Sequence, residues 1–411
     1  MRTLFIEAGH ELTAESVRTT VEFEGLSLLQ EKRVVYEICG PDAPRQNPNG
    51  NFALAAALPT AMALGRPLHV RGEVDADFLA TMEEYMAAWC RWRPDLFQPV
   101  GLSADVETAA RPSLATNAIM AFSGGLDSTF ALHAHKHGSL GRRGLNIEAA
   151  VLVQGFDMPL DDAAAFDVAR THVEAILAPY GVRLNVVRTN WQKPFSIKWE
   201  MTHMLGIAAV LHQFHRTFGK GLVADDFAYD NQRTPWSSNA ITNQMLGCGA
   251  FPIRTTGAAW GRTEKAAAVA ANPIALEHLR VCYERPGLGG NCGECEKCLR
   301  TKLNFYANGI RQVPILGRPL TVEDVRWMNP QHADFYIDAL EKGTWPANDP
   351  MRSELAALVG QFKAGSLVSN SKPRPPRRNF LQRAGKRARP LIRAIRSALP
   401  MVTSIGGRPL R

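Results

Sequence analysis

The feature that most constrains the fold of this chain is a glycine-containing turn between an apolar segment and the start of a helix. The turn consists of Ser123, Gly124, Gly125, Leu126, Asp127 and Ser128. It follows residues 117–122, which are predicted to form a buried strand, and precedes residues 128–137, which are predicted to form a helix ended by Gly138. A strand joined to a helix by a short loop is the repeating unit of an α/β fold.

The same turn has the chemistry of a phosphate-binding loop. Its two glycines allow the backbone to approach an anion closely, and the helix start presents free N–H groups and a partial positive charge. Ser123 and Ser128 add hydroxyl donors. Asp127 would repel a bare phosphate, so its expected role is to hold a Mg²⁺ ion that bridges the phosphates. The alternative interpretation is an ordinary Gly-Gly turn capped by Asp and Ser.

Segments with strand and helix patterns alternate after this turn. Apolar strands are predicted at 147–153, 183–187 and 221–224, and helices at 163–180 and 201–218. This order predicts an α/β fold built on a doubly wound parallel sheet with helices on both faces.

Four regions are predicted along the chain. Residues 1–112 are expected to form a small N-terminal accessory α+β domain, 113–310 the domain with the chemistry, 311–365 a helical extension and 366–411 a tail. The tail holds twelve Lys and Arg residues and no acid, so removing it from a chain of net charge +8 leaves −4. The acidic body disfavours a general nucleic-acid binder. The tail is predicted to be disordered, with contact to an anionic surface as the alternative.

Four of the seven cysteines form a cluster near the end of the second region. Cys282, Cys292, Cys295 and Cys298 have the spacing C-x9-C-x2-C-x2-C. Such clustering favours a metal over disulfides in a cytoplasmic chain, and the absence of a signal-peptide pattern and of long apolar runs predicts a cytoplasmic location without a transmembrane segment. Zn²⁺ in a four-cysteine site is normally structural. An iron–sulfur cluster is the alternative.

Several polar residues outside the loop are candidates for the site. Asp225 and Asp226 follow the predicted strand 221–224, where they can meet Mg²⁺ or substrate, or cap a loop. Three alternating histidines on the predicted helix 128–137 are interpreted as surface residues. They are His133, His135 and His137.

The loop and the cysteine cluster together resemble the PP-loop ATP pyrophosphatase superfamily, and within it 7-cyano-7-deazaguanine synthase of queuosine-precursor biosynthesis. The resemblance includes Val281-Cys282-Tyr283, Cys298-Leu299-Arg300 and Arg262-Thr263-Glu264-Lys265. It covers roughly residues 115–310.

The resemblance implies an adenine nucleotide alpha hydrolase (HUP-like) fold with a zinc-binding loop, in which residues 123–128 bind ATP with Mg²⁺. Attack then occurs at the α-phosphate and pyrophosphate leaves. The implied substrate is a small-molecule carboxylate, whose adenylate is attacked by ammonia or an amine. The expected catalytic residues are Asp127, Lys265 and Arg262, the last two neutralising phosphate or the adenylate. For this basic pair the alternative is a solvated helix start.

Other functions remain open at this stage. The acceptor can be a different nucleobase, a sugar acid or a protein terminus, because the Tyr-Pro-Asp-Cys segment of the synthase family has no clear counterpart in the chain. A tRNA-modifying PP-loop enzyme is a further alternative, which the acidic body disfavours. The last alternative is a protein that senses ATP without catalysing a reaction. For the assembly of the chain, a homodimer is one alternative.

Overall fold

The residues that the structure describes form ten strands, and these join into one sheet. The computed structural model describes residues 2–27, 31–109, 113–192, 198–285, 287, 289–326 and 328–364. The strands are β1 (Leu4–Leu12), β2 (Val17–Glu24), β3 (Arg33–Cys39), β4 (Leu68–Asp75), β5 (Leu102–Thr108), β6 (Asn117–Ala121), β7 (Asn146–Gln154), β8 (Arg183–Thr189), β9 (Lys220–Ala224) and β10 (Ile253–Thr256). The α-helices are α1 (Asn51–Leu64), α2 (Ala76–Trp92), α3 (Leu126–Lys136), α4 (Ala163–Leu177), α5 (Trp199–His212), α6 (Arg262–Ala270), α7 (Pro273–His278), α8 (Glu296–Tyr306), α9 (Val322–Arg326), α10 (Ala333–Lys342) and α11 (Pro350–Lys363).

The sheet is mostly parallel. Its strand order is β10-β9-β6-β7-β8-β3-β2-β1-β4-β5. Neighbours from β10 to β8 are parallel, as are β1, β4 and β5, whereas β3 is antiparallel to both β8 and β2 and β2 is antiparallel to β1. This arrangement confirms the predicted α/β class with helices flanking a large sheet. The more specific HUP-like assignment stays a prediction.

Strands from both sides of the boundary predicted at residue 112 belong to the same sheet. Strand β3 pairs with β8, so that Tyr36 lies opposite Thr189 and Cys39 opposite Val186. All described residues therefore fall within a single compact unit. The boundaries predicted at residues 112 and 310 stay predictions, but the first 112 residues contribute five strands to the same sheet as the phosphate-loop candidate.

Side chains of the central strand β6 alternate between the two faces of the sheet, as in any strand. Ile119 packs in a core with α1 and α5, and Met120 packs in a second core with α3 and α4. Helix α1 is apolar on nearly all sides because it lies between the sheet and α5, and twelve of its fourteen residues are buried. Helices on both faces of β6 are compatible with the predicted double winding.

The C-terminal helices form a smaller core of their own. Leu303 of α8, Val325 of α9, Tyr336 of α10 and Leu355 of α11 are buried together. The predicted tail 366–411, with its basic residues, lies outside the described residues. Among the helices that the structure describes, none combines the length and the apolar character that a bilayer crossing requires.

Candidate functional site

The candidate site lies where the chain reverses its direction of travel across the sheet. From β6 the chain moves through β7 and β8 on one side, and then crosses to β9 and β10 on the other. The loops that follow β6, β9 and β10 come together at the carboxyl ends of these parallel strands. Such a switch point is where open α/β sheets bind their ligands.

The predicted phosphate loop, 123–128, sits at this switch point and opens directly into α3. Gly124 has a left-handed φ of 73°, and a Cβ atom there would lie 3.1 Å from Val173 Cγ2. Its carbonyl accepts a hydrogen bond of 2.8 Å from the backbone N–H of Arg280. No side chain caps α3. The hydroxyl oxygens of Ser123 and Ser128 lie 3.4 Å apart, and Ser123 is exposed. The uncapped helix start therefore faces an accessible turn that carries two hydroxyls.

Asp127 contacts the other two predicted catalytic side chains, Arg262 and Lys265. Its Oδ2 accepts a hydrogen bond of 2.5 Å from Arg262 Nη1, and its Oδ1 accepts one of 3.0 Å from Lys265 Nζ. Both cations are buried, with Arg262 6% exposed and Lys265 0% exposed. Burial raises the pKa of Asp127, but the charges of Arg262 and Lys265 outweigh it and hold the pKa at about 2. The interpretation of this basic pair as a solvated helix start is wrong.

The position of Arg262 and Lys265 follows from the start of α6. The two residues are three positions apart and share one face of the helix. The N–H of the N-cap residue Gly261 donates to Glu264 Oε2 at 2.8 Å. Asp338 of α10 accepts hydrogen bonds from the N–H and the hydroxyl of Thr263, at 2.8 and 2.7 Å. The C-terminal helices thus hold the end of α6 that carries the basic pair.

The two acids after β9 have different surroundings. Asp225 is buried and its oxygens accept hydrogen bonds from Asn243 Nδ2 at 3.1 Å and from the N–H of Ala258 at 3.2 Å. Burial raises its pKa. Asp226 is partly exposed, and its Oδ2 accepts a hydrogen bond of 3.1 Å from Trp236 Nε1. Asp225 therefore organises the loops, as in the loop-cap alternative, while Asp226 is open to a ligand.

A row of aromatic rings borders these acids. Neighbouring ring centroids along the row lie 5.0 to 6.1 Å apart. The rings belong, in spatial order, to Phe156, Trp199, His203, Trp236, Phe227 and Phe335. They come from segments far apart in the chain, so no local pattern could have revealed the row.

Helix α8 adds two cations that were not predicted as site residues. Arg300 is buried, and its guanidinium carbon lies 4.0 Å from the ring centroid of Phe335. Lys297 is half-buried in the first turn of the helix. In the sequence, Lys297 stands between two cysteines of the cluster and Arg300 lies two residues after the last, but this position alone does not mark them as site residues.

The four clustered cysteines converge on one point, as their spacing predicted. The sulfur atoms of Cys282, Cys292, Cys295 and Cys298 all lie within 4.8 Å of one another. Individual Sγ–Sγ distances are 3.6, 3.7 and 4.0 Å. Tetrahedral Zn²⁺ with Zn–S bonds of about 2.3 Å requires sulfur separations of about 3.8 Å. The donor set therefore fits a metal ion such as zinc.

A second, smaller polar group includes the buried thiol of Cys248. Its sulfur donates to Asp75 Oδ2 at 3.4 Å, and the same oxygen accepts a hydrogen bond of 2.7 Å from Asn51 Nδ2. Burial raises the pKa of Cys248 to about 12. These contacts satisfy Asp75 within the protein, so the group acts as a buried polar junction between α1, α2 and the loop before β10.

Comparison with known proteins identifies no relative of this chain. No family model matches the chain, and no curated protein or solved structure matches it either.

Proposed function

We propose that this protein binds ATP at residues 123–128 and splits it to AMP and pyrophosphate, thereby adenylating a carboxylate that ammonia or an amine then attacks. The observation that carries the proposal is the uncapped start of α3 behind the Gly124 turn, next to the buried pair of Arg262 and Lys265. Backbone N–H groups, hydroxyls and fixed cations are the groups that stabilise transferring phosphates.

Different residues of the chain would have different roles in this reaction. The hydroxyls of Ser123 and Ser128, with the first N–H groups of α3, would bind the outer phosphates. Arg262 and Lys265 would neutralise the charge that develops on the departing pyrophosphate. Both oxygens of Asp127 already accept hydrogen bonds from this pair, so its role is to hold the two cations in position.

Mg²⁺ would add its charge to the bound phosphates when ATP is present. Asp226 fits this ion better than Asp127, because among the described residues its Oδ1 has no hydrogen-bond partner. The catalytic contribution of the remaining residues is positioning and electrostatic stabilisation, for which no side-chain nucleophile is needed.

The acceptor would be a carboxylate attached to a planar ring. The aromatic row beside Asp226 supplies flat apolar faces on which a ring can stack. A deazaguanine acid, as in the resembling synthase family, has this chemistry. The proposed metal at the four cysteines is a structural Zn²⁺, and reduced metal-binding thiols suit a cytoplasmic enzyme.

The proposal is tested with ATP labelled at the α- or the γ-phosphate, in the presence of ammonium and a panel of heteroaromatic carboxylic acids. We expect labelled AMP and labelled pyrophosphate. The variant Ser128→Ala should lower turnover, whereas Ser139→Ala, at an exposed site beyond the same helix, should not. Formation of ADP and inorganic phosphate instead would refute the proposed chemistry.

A further inference from the structure

We propose that Lys297, together with Arg262 and Arg300, forms a second anion subsite beside the phosphate loop, and that this subsite holds the carboxylate of the acceptor. The assignment to an acceptor rests on the proposed function. The existence of the subsite rests on the contacts of the three cations.

Among the residues that the structure describes, Lys297 has no acidic partner within 4 Å. Four neighbouring cations each have such a partner. These pairs are Arg262 with Asp127, Lys265 with Asp127, Arg280 with Asp157, and Arg300 with Glu296. The ammonium of Lys297 forms no hydrogen bond or ion pair with any residue that the structure describes, and it lies 5.3 Å from the ring centroid of Tyr283.

Two buried N–H groups of the neighbouring arginines also lack a hydrogen-bond acceptor among the described residues, although Arg300 Nε lies 3.7 Å from Glu296 Oε1. Within the described part of the chain, the Nε atoms of Arg262 and Arg300 have no hydrogen-bond acceptor, although these side chains are only 5% and 7% exposed. A buried donor without an acceptor is unfavourable, because it has lost its hydrogen bond to water and gained none in the protein. An anion that accepted from both Nε atoms and from Lys297 would remove this cost.

The position of Lys297 fits the acceptor better than the outer phosphates. Asp127 and Asp226 both interact electrostatically with Lys297, so the ammonium lies near the phosphate loop and near the acid that borders the aromatic row. A carboxylate must come within about 3.5 Å of the α-phosphorus before it can attack, although both groups are negatively charged. A cation at this position would reduce the repulsion and hold the attacking oxygen.

The experiment measures binding of inorganic phosphate, as an oxyanion probe, to the full chain. Calorimetric titrations are run with the protein alone and with protein saturated by Mg²⁺ and a non-hydrolysable ATP analogue that fills the loop. We expect one phosphate to bind to the saturated protein. Lys297→Met should weaken this binding about tenfold or more, as loss of one charge-assisted hydrogen bond predicts. Lys297→Arg should retain it, and Lys342→Met, at an exposed site on α10, should not affect it.

The outcomes separate this inference from the proposed function. If the saturated wild type binds no phosphate, or if Lys297→Met binds it as tightly as the wild type while both proteins keep the same thermal midpoint, the subsite is rejected. If instead the ATP analogue fails to bind but phosphate binding to the protein alone still depends on Lys297, the subsite stands and the proposed function falls.

Discussion

Lys265 joins two parts of the candidate site through a single ammonium group. It donates to Asp127 Oδ1 and to the backbone carbonyl of Asp225, at 3.0 and 2.7 Å, and its side chain is almost fully buried. The loop after β6 and the loop after β9 are therefore held in a fixed relation. A buried ammonium is stable only with such partners, because removing the charge from water is costly.

Replacing Asp127 by Asn should therefore destabilise the fold as well as impair any activity. The change leaves two buried cations without their counter-ion, and we expect the free energy of unfolding to fall by about 3–5 kcal/mol. Asp95→Asn, which removes the exposed partner of Arg93, is the control and should have a far smaller effect, because an exposed ion pair contributes little. Urea denaturation at neutral pH measures both. Equal losses in the two variants would contradict the structural role of the buried pair.

His135 was predicted to lie at the surface, and this prediction is wrong. The residue is 7% exposed, its Nδ1 accepts a hydrogen bond of 2.9 Å from the N–H of Leu145, and its Nε2 lies 3.0 Å from Thr256 Oγ1. Alternation along a helix indicated only that His135 points away from His133 and His137, whose ring centroids lie 4.1 Å apart on one side of the helix. It could not indicate that β10 and the turn before β7 cover the side on which His135 lies.

The buried His135 predicts a pH dependence of stability. Burial, with a smaller contribution from the charge of Arg143, lowers the pKa of His135 to about 4. A histidine with a lowered pKa contributes stability above its unfolded pKa of about 6.5, and this stability is lost as the pH falls toward the folded value. We expect His135→Gln to flatten the decline in unfolding free energy between pH 6.5 and pH 4 in urea titrations. An unchanged slope in the variant would show that His135 is not the group responsible.

Among the elements, those with a strong apolar period were predicted well and the partly exposed ones were missed. Strand β5 reads Leu-Ser-Ala-Asp-Val-Glu-Thr and lies at one edge of the sheet, where acidic residues are tolerated although they are rare in strands generally. The predicted helix 201–218 ends at His212. Its apolar spacing continues because Phe214 and Phe218 are buried in the turn that follows.

The cysteine spacing predicted that four thiols lie together at a candidate metal site. It did not indicate that a helix begins within the cysteine cluster. Helix α8 starts at Glu296, directly after Cys295, and Cys298 lies in its first turn. The cations on this helix lie near the phosphate loop only because α6, α8 and α10 pack against one another. Lys297 and Arg300 could therefore be recognised as site residues only from the fold.

Metal removal should act on α8 and the site together. We expect purified protein to contain about one zinc per chain by mass spectrometry, and Cys295→Ser to lose it, since a four-thiolate site needs every ligand. The thermal midpoint should drop in this variant, and phosphate binding at Lys297 should weaken. Cys90→Ser, outside the cluster, should keep both properties. Iron in place of zinc, with visible absorbance, would instead indicate the iron–sulfur alternative.

At the scale of the whole molecule, the sequence predicted the class of the fold but not the continuity of its sheet. The pattern of residues 1–112 resembles a separate small domain because it contains strands and helices of its own. Pairing between β3 and β8 is a long-range contact, and neither strand carries a local signal for its partner. The burial of α1 against α5 is likewise visible only in three dimensions.

Truncation at the two ends should have opposite effects. A chain that lacks residues 1–112 exposes the edge of β8 and the face of α5 that packs on α1, so we expect it to be insoluble or to lose its cooperative thermal transition. A chain that lacks residues 366–411 should keep the thermal midpoint and the ATP turnover of the full chain. A soluble, cooperatively folding fragment 113–365 would contradict the structural dependence on the first five strands.

The antiparallel seam between β3 and β8 also limits how the molecule can open. Many two-lobed enzymes admit substrate by swinging one lobe about a hinge, but a ladder of backbone hydrogen bonds across the middle of the sheet leaves no hinge there. A ligand that binds at the strand ends would therefore enter through local movement of the segments above them, namely the loops after β6 and β9 and the helix α10. Exchange of amide hydrogens should be fastest in these segments and slowest along the seam.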